Sequence, residues 1–235
     1  MSSGDQVPTP LSRGFVDNEY FKTVFKIGVS GIPFIGTALN EALYDAPSRM
    51  HQERLERFLF ILTEQAKKLG ADFDLFDQNK KEIFTEITNK VFIEASKTKS
   101  DLKLKTFASI LTKSINVDLD KEAERYTRNI DMVASLTEIE MQFLTNLLHA
   151  ISEREKDPNL KPREYFGLTY SVDYKQEIVL EIEVQQARIV IETLSEKRLI
   201  GDAGHGFYDY TPNSSIGFTP LGRDFINFIE VLSNK

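Results

Sequence analysis

The stretch VQQARIVIETLSEKRLIGD (184–202) decides the fold, together with SIGFTPLGRDFINFIE (215–230) further along the chain. The first stretch has the spacing of an amphipathic helix, with apolar residues on one side and polar residues on the other. Lys197 and Arg198 follow where the helix should end, and cations there oppose the negative pole of the helix dipole. We predict a helix that ends in a short strand. Its apolar side carries Val184, Ala187, Val190, Ile191 and Leu194.

A glycine-rich segment, GDAGHGFYDY (201–210), separates the two stretches and predicts a β-turn or wing. Gly201 is expected to let the chain leave the helix or strand at a positive φ. Thr219 and Pro220 predict the start of the last helix, as a threonine cap followed by proline at the first helical position. Together these signals predict the back half of a winged helix, including a small β-hairpin.

The N-terminal half has helical spacing in several consecutive segments, joined by only a few residues. Such short connections favour adjacent antiparallel helices. After the segment 20–44, the next helix is predicted to open at Pro47 and Ser48 and to run to about Leu69, with Met50, Leu55, Phe58 and Leu62 on its apolar face. Gly70 marks the end of this helix. The starts of the three helices that follow are marked by Asp77, Ser100 and either Asp118 or Asp120.

The clearest local signal is a capping box at Thr137 and Glu140, in which each side chain bonds the backbone N–H of the other residue. Leu136 and Met141 flank it as a hydrophobic staple. We predict a helix that starts here and ends before Asp157. The fold class is therefore mainly α: a disordered tail (1–14), an N-terminal helical bundle (15–134) and a winged-helix-like C-terminal domain (135–235).

Two segments leave alternatives open. Over 173–183, Ile178, Leu180 and Ile182 alternate with polar residues as in a strand, whereas uninterrupted continuity with 184–194 favours a helix. The segment 20–44 is the most apolar, and Pro33 should break it into two helical halves. Its uncharged part, 27–40, falls short of the roughly 20 residues that span a bilayer. We expect a buried, kinked helix there; a membrane-active segment over 21–43 is the alternative.

Composition excludes several kinds of protein. The 235 residues contain no cysteine, so disulfides and thiolate metal sites are impossible. A hydrophobic content of 41% with 17 Phe is enough for a sizeable core. The net charge of −7 disfavours non-specific binding to nucleic acid or anionic lipid. The N-terminus has no cationic start followed by an apolar run, so we expect no secretory signal and a cytoplasmic protein.

No motif points to catalysis. His51, His149 and His205 are far apart and have no partners at ligand spacing. The acidic run at Asp72, Asp74 and Asp77 fails the calcium-loop pattern, and the glycines fit no phosphate-binding motif. We therefore expect no catalytic residue, no cofactor and no bound metal.

The surface chemistry of the predicted helix that begins at Val184 and ends at Lys197 and Arg198 argues against DNA binding. From Pro158 onward the chain has 8 Lys and Arg against 11 Asp and Glu, a balance of −3. Phosphate contacts supply most of the affinity for DNA, and this surface offers few cations. We expect a protein partner or a homo-oligomer instead. The candidate partner-binding residues are Gln185, Arg188, Glu192 and Glu196 on this helix, and Phe34 and Ile35 in the apolar segment.

Four segments resemble a recurring bacterial pattern: LKTFASIL (104–111), IDMVASLTEIEMQFLTNLL (130–148), IETLSEKRLI (191–200) and FTPLGRDFI (218–226). The pattern is similar to that of the abortive-infection alpha-type proteins of bacterial antiphage defence. The resemblance implies a small helical protein without a catalytic signature, acting in phage defence or a related stress response. A DNA-binding transcriptional regulator and a membrane-disrupting effector remain the alternatives.

Overall fold

The computed structural model describes residues 49–69, 81–156, 172–173, 184–202 and 215–230. They are mainly helical, as predicted, and include a small antiparallel sheet. The chain divides into two compact units, and the division falls between Ala134 and Ser135.

The described part of the first unit is built from four helices: α1 (Arg49–Leu69), α2 (Lys81–Lys97), α3 (Asp101–Ser114) and α4 (Leu119–Ser135). Helices α1, α2 and α3 pack against one another. The rings of Phe58 and Phe92 meet edge to face at 5.2 Å, an arrangement that aromatic pairs prefer. Other fully buried members of this core are Leu55, Leu62, Phe84, Val91, Leu104, Phe107 and Leu111.

Two predicted helix starts in this unit are confirmed. The Ser100 hydroxyl oxygen accepts the N–H of Lys103 and so caps α3. Helix α4 begins directly after Asp118, the first of the two predicted starts. The prediction for Met50 is wrong, because its side chain is 57% exposed. Met50 precedes Leu55 by five residues, about 140° around a helix, and therefore lies off the buried face.

The described part of the second unit contains three helices and three strands. In chain order these are α5 (Glu138–Glu155), β1 (Val172–Asp173), α6 (Val184–Glu196), β2 (Ile200–Asp202), β3 (Ser215–Phe218) and α7 (Pro220–Glu230). The sheet order is β1-β3-β2, and both pairings are antiparallel. The core of this unit includes Phe143, Leu144, Leu147, Ala187, Ile191, Leu194, Leu199, Phe218 and Phe225.

The capping box is confirmed. Thr137 N–H donates to a Glu140 carboxylate oxygen at 2.5 Å, and Glu140 N–H donates to the Thr137 hydroxyl at 3.2 Å. Leu136 and Met141, the predicted staple, are both 1% exposed. The helix ends at Glu155, before Asp157 as predicted. Thr219 caps α7 as predicted, since its hydroxyl accepts the N–H of Gly222 at 3.0 Å.

The positive φ that ends α6 belongs to Arg198 and not to Gly201, so that prediction is wrong. Arg198 has φ 58°. Its N–H bonds the Ser195 carbonyl at 2.9 Å, and the N–H of Leu199 bonds the Leu194 carbonyl at 2.9 Å. These two bonds form a Schellman motif, which reverses the chain one residue before Leu199. Gly201 therefore lies inside the sheet, opposite Gly217.

Four predictions lie outside the described residues. They concern the tail 1–14, the apolar segment 20–44, the ambiguous residues 174–183 and the wing 203–214. Asp173, the first residue of the ambiguous segment, lies in strand β1 and not in the helix that was favoured. Gly70 and Asp77, the predicted boundary residues, also lie outside.

Candidate interaction surface on helix α6

Helix α6 presents one apolar and one polar face, as its spacing predicts. Ala187, Val190, Ile191 and Leu194 are buried in the second unit. The opposite face is exposed and carries Gln186, Arg188, Ile189, Glu192 and Glu196. These five residues define the α6 face.

The only cation on the α6 face is engaged by a neighbouring carboxylate. Arg188 Nε lies 3.3 Å from Glu192 Oε1, one helical turn away. Both side chains are more than half exposed, so the pair contributes only a few tenths of a kcal/mol to stability. Glu196 adds a second exposed carboxylate. The α6 face is therefore slightly acidic.

An exposed isoleucine lies among these charges. Ile189 is 63% exposed, the largest exposed fraction among the large apolar side chains that the structure describes as exposed. Ile189 was not among the residues predicted from the sequence, although its position in the helical repeat indicates exposure. Ile189 follows Gln185 by four residues and precedes Glu192 by three, so it belongs to the polar side of the helix. An exposed aliphatic side chain with charged neighbours can anchor a protein contact.

The end of α6 is held by a lysine that reaches the start of α5. Lys197 Nζ donates to the Ser135 carbonyl at 2.9 Å and lies 3.4 Å from both Glu140 carboxylate oxygens. Glu140 is only 4% exposed and already closes the capping box. This contact joins the two helices through one buried carboxylate, and it holds the α6 face on a rigid support.

A second cation joins α7 to α5. Arg223 Nη2 lies 2.9 Å from Glu155 Oε1, and its guanidinium is 5.9 Å from the centre of the Phe218 ring. Arg188, Lys197 and Arg223 thus each pair with a carboxylate inside the second unit. All three pairs lower the positive potential that a polyanion would meet on the described surface.

The structure brings together some of the predicted partner-binding residues. Arg188, Glu192 and Glu196 lie on the α6 face. Gln185 lies in the same helix, with its side chain outside the described part. Phe34 and Ile35 lie outside the described residues, so their prediction stays a prediction.

Acidic and histidine residues in the described ranges do not assemble into a metal site. No group of three or more His, Asp or Glu is placed to hold an ion there. Glu153, four residues after His149, pairs with Lys156 at 2.5 Å. Lys156 is the main cause that lowers the pKa of Glu153, and His149 contributes less.

Within the described ranges, none of the helices combines the length and the apolar character that crossing a bilayer requires. Comparisons with protein-family models, with curated proteins and with solved structures found no match to this chain.

Proposed function

We propose that the chain is a non-enzymatic protein-interaction module whose second unit is a winged helix that binds a protein partner through the α6 face. The observation that carries the proposal is the pairing of Arg188 with Glu192 beside the exposed Ile189. This face offers an apolar anchor between charges of both signs, which suits a polypeptide surface.

The order of elements supports the winged-helix interpretation. In a winged helix, a helix precedes a two-stranded hairpin, and the last strand lies between the first two. Here α6 precedes β2 and β3, and β3 lies between β1 and β2. In this interpretation, helix α6 corresponds to the helix that reads the major groove in winged helices that bind DNA.

Charge argues against the DNA-binding alternative. A duplex is bound mainly through phosphates, and each phosphate contact needs a cation or another donor that faces it. Arg188 would have to leave Glu192, and Glu192 and Glu196 would then face the phosphates. Like charges brought together in this way weaken association.

The proposed setting is phage defence or a related stress response in bacteria. It rests on the resemblance of the segments 104–111, 130–148, 191–200 and 218–226 to abortive-infection alpha-type proteins. Those segments form α3, the α4–α5 junction, the end of α6 with its turn, and the start of α7.

A site-specific photo-crosslinking experiment tests the α6 face. A photoreactive amino acid replaces Ile189 in the full chain, expressed in a bacterial host with and without phage challenge. We expect a discrete crosslinked protein that Glu192→Arg removes. A photoreactive residue at Asn227, exposed on α7, is the matched control and should give no such product.

A DNA-binding measurement tests the alternative directly. Fluorescence anisotropy with mixed-sequence duplexes at low salt should show no binding, and Arg188→Ala should change nothing. Tight, salt-dependent binding that Arg188→Ala weakens would overturn the proposal in favour of a DNA-binding regulator.

A further inference from the structure

A second exposed stripe lies in the first unit, along helix α1, and it is independent of the α6 face. Its members follow one another at alternating steps of three and four residues, the spacing of a seam between two helices. The members are Met50, Glu53, Arg57, Phe60, Glu64 and Lys67. These six residues define the α1 stripe.

Two apolar side chains in the α1 stripe face solvent while the opposite side of the helix forms the core. Met50 is 57% exposed and Phe60 is 47% exposed, whereas Phe58 and Leu62 are fully buried. Single exposed apolar residues are common on protein surfaces and need no partner. Phe60 differs from such residues in the ordered charges that surround it.

The charges of the α1 stripe are ordered symmetrically about Phe60, with opposite signs at matching positions. Arg57 lies three residues before Phe60, and Glu64 lies four residues after it. Glu53 and Lys67 lie seven residues before and after it. A two-fold axis that passes by Phe60 would therefore bring each charge next to an opposite charge of a second, antiparallel helix.

We propose that the α1 stripe is a self-complementary interface that binds a second copy of this chain, with the two α1 helices antiparallel. Phe60 then meets Phe60 of the second copy. Arg57 lies opposite Glu64 of the second copy, and Glu53 lies opposite Lys67. Because a two-fold interface repeats every contact, the dimer has four ion pairs around one aromatic pair.

The charges also select the direction of pairing. A parallel pair of α1 helices would place Arg57 against Arg57, and each glutamate against its own copy. Like charges at one level of two packed helices repel, so the parallel arrangement is disfavoured. Only the antiparallel arrangement joins opposite charges at all four positions.

The contacts within one copy are compatible with this docking. Arg57 Nη2 bonds Asp101, which leaves other donors of the guanidinium for Glu64 of the second copy. Glu64 and Lys67 pair at 3.3 Å within one copy, and both side chains are about half exposed. Such surface pairs contribute little and can take additional partners at small cost.

The dimer should be weak and concentration-dependent. The α1 stripe is about 26 Å long, and helices that pack in this way lie about 8–10 Å apart. One helix from each copy buries less area than a standard protein interface. We therefore expect a dissociation constant in the micromolar range, on the order of 10–100 μM.

Cysteine crosslinking tests the two-fold axis, because the natural chain contains no cysteine. In Phe60→Cys each copy has one thiol, and the proposed axis brings the two thiols together. We expect a covalent dimer with a short bismaleimide; it accumulates although loss of the ring weakens the dimer, because the crosslink is irreversible. Glu124→Cys, exposed on α4, is the matched control and should remain monomeric. Equal crosslinking of the two variants would overturn the proposal.

Sedimentation velocity over a concentration series tests the charge pairing on the full chain. Phe60→Glu should raise the dissociation constant at least about tenfold. Glu53→Lys alone should weaken the dimer, and the double variant Glu53→Lys, Lys67→Glu should restore it. Ile189→Glu, on the α6 face, should leave the dimer unchanged. Circular dichroism checks that each variant is folded.

A wild-type chain that stays monomeric at every concentration would overturn the proposal. The same holds if Phe60→Glu dimerises as the wild type does, or if the double variant remains as weak as Glu53→Lys. None of these results bears on the α6 face, so the two proposals fail separately.

Discussion

Gly222 lies directly against the backbone of Leu199. A Cβ atom on Gly222 would stand 1.7 Å from the Leu199 carbonyl oxygen and 2.6 Å from its carbonyl carbon. The same oxygen accepts the N–H of Thr219 at 3.1 Å. The first turn of α7 is therefore pressed onto the junction between α6 and β2, and only glycine leaves room for that contact.

Gly222→Ala should destabilise the protein by about 2–3 kcal/mol or more, because backbone must move to admit the methyl group. Chemical denaturation followed by circular dichroism measures the change. Gly201→Ala is the matched control, since its Cβ would meet only Thr219 Cγ2 at an ordinary 3.6 Å. If both substitutions had an equally small effect, the backbone at Leu199 would have to move aside at little cost in free energy.

Glu140→Ala should destabilise the protein by about 2–3 kcal/mol. The substitution removes the capping-box bond to Thr137 N–H and leaves the partly buried Lys197 ammonium without its carboxylate. A double-mutant cycle with Lys197→Met isolates the ion pair, and we expect a coupling of about 1 kcal/mol. Additive effects of the two substitutions would mean that the pair contributes nothing.

Arg198→Gly should stabilise the protein by about 0.5–1 kcal/mol. Arg198 has φ 58°, a backbone conformation that glycine adopts without the steric cost of a side chain. Because Arg198 is exposed, little packing is lost. Thermal unfolding should therefore shift to higher temperature, whereas Ser195→Gly, inside helix α6, should shift it lower. A lower unfolding temperature for Arg198→Gly would contradict this account.

The stability of the first unit should fall in alkaline solution because of Tyr126. Burial, with a smaller contribution from Glu122, raises the pKa of Tyr126 to about 12. In the unfolded chain tyrosine loses its proton near pH 10, so the unfolded state is favoured increasingly from about pH 10 to about pH 12. The loss should amount to roughly 2 kcal/mol.

Urea denaturation of the wild type and Tyr126→Phe, from about pH 9 to about pH 12, measures this effect. Lysines and other tyrosines titrate in both proteins, so the difference between the two curves reports Tyr126. We expect the wild type to lose stability faster than the variant. Parallel curves would mean that Tyr126 ionises as readily in the folded protein as in the unfolded chain.

Local signals in the sequence were enough to predict much of the described fold. The capping box at Thr137 and Glu140, the cap at Ser100 and the Thr219–Pro220 helix start involve residues within a few positions of each other. Their geometry is therefore set by the local backbone and needs no tertiary partner. The apolar face of α6 was predictable for the same reason, since helical periodicity alone identifies it.

Only the tertiary structure decided the contacts between distant residues. Lys197 reaches Glu140 across 57 positions of the chain, and Gly222 must be glycine because Leu199 lies against it. The positive φ was predicted at Gly201 but is found at Arg198. The reason is that the N–H of the buried Leu199 bonds the Leu194 carbonyl and so ends the helix there. Packing selects among the conformations that local propensity allows. Packing also left Ile189 and Phe60 exposed. Ile189 lies on the α6 face and Phe60 lies on the α1 stripe, the two surfaces proposed to bind partners.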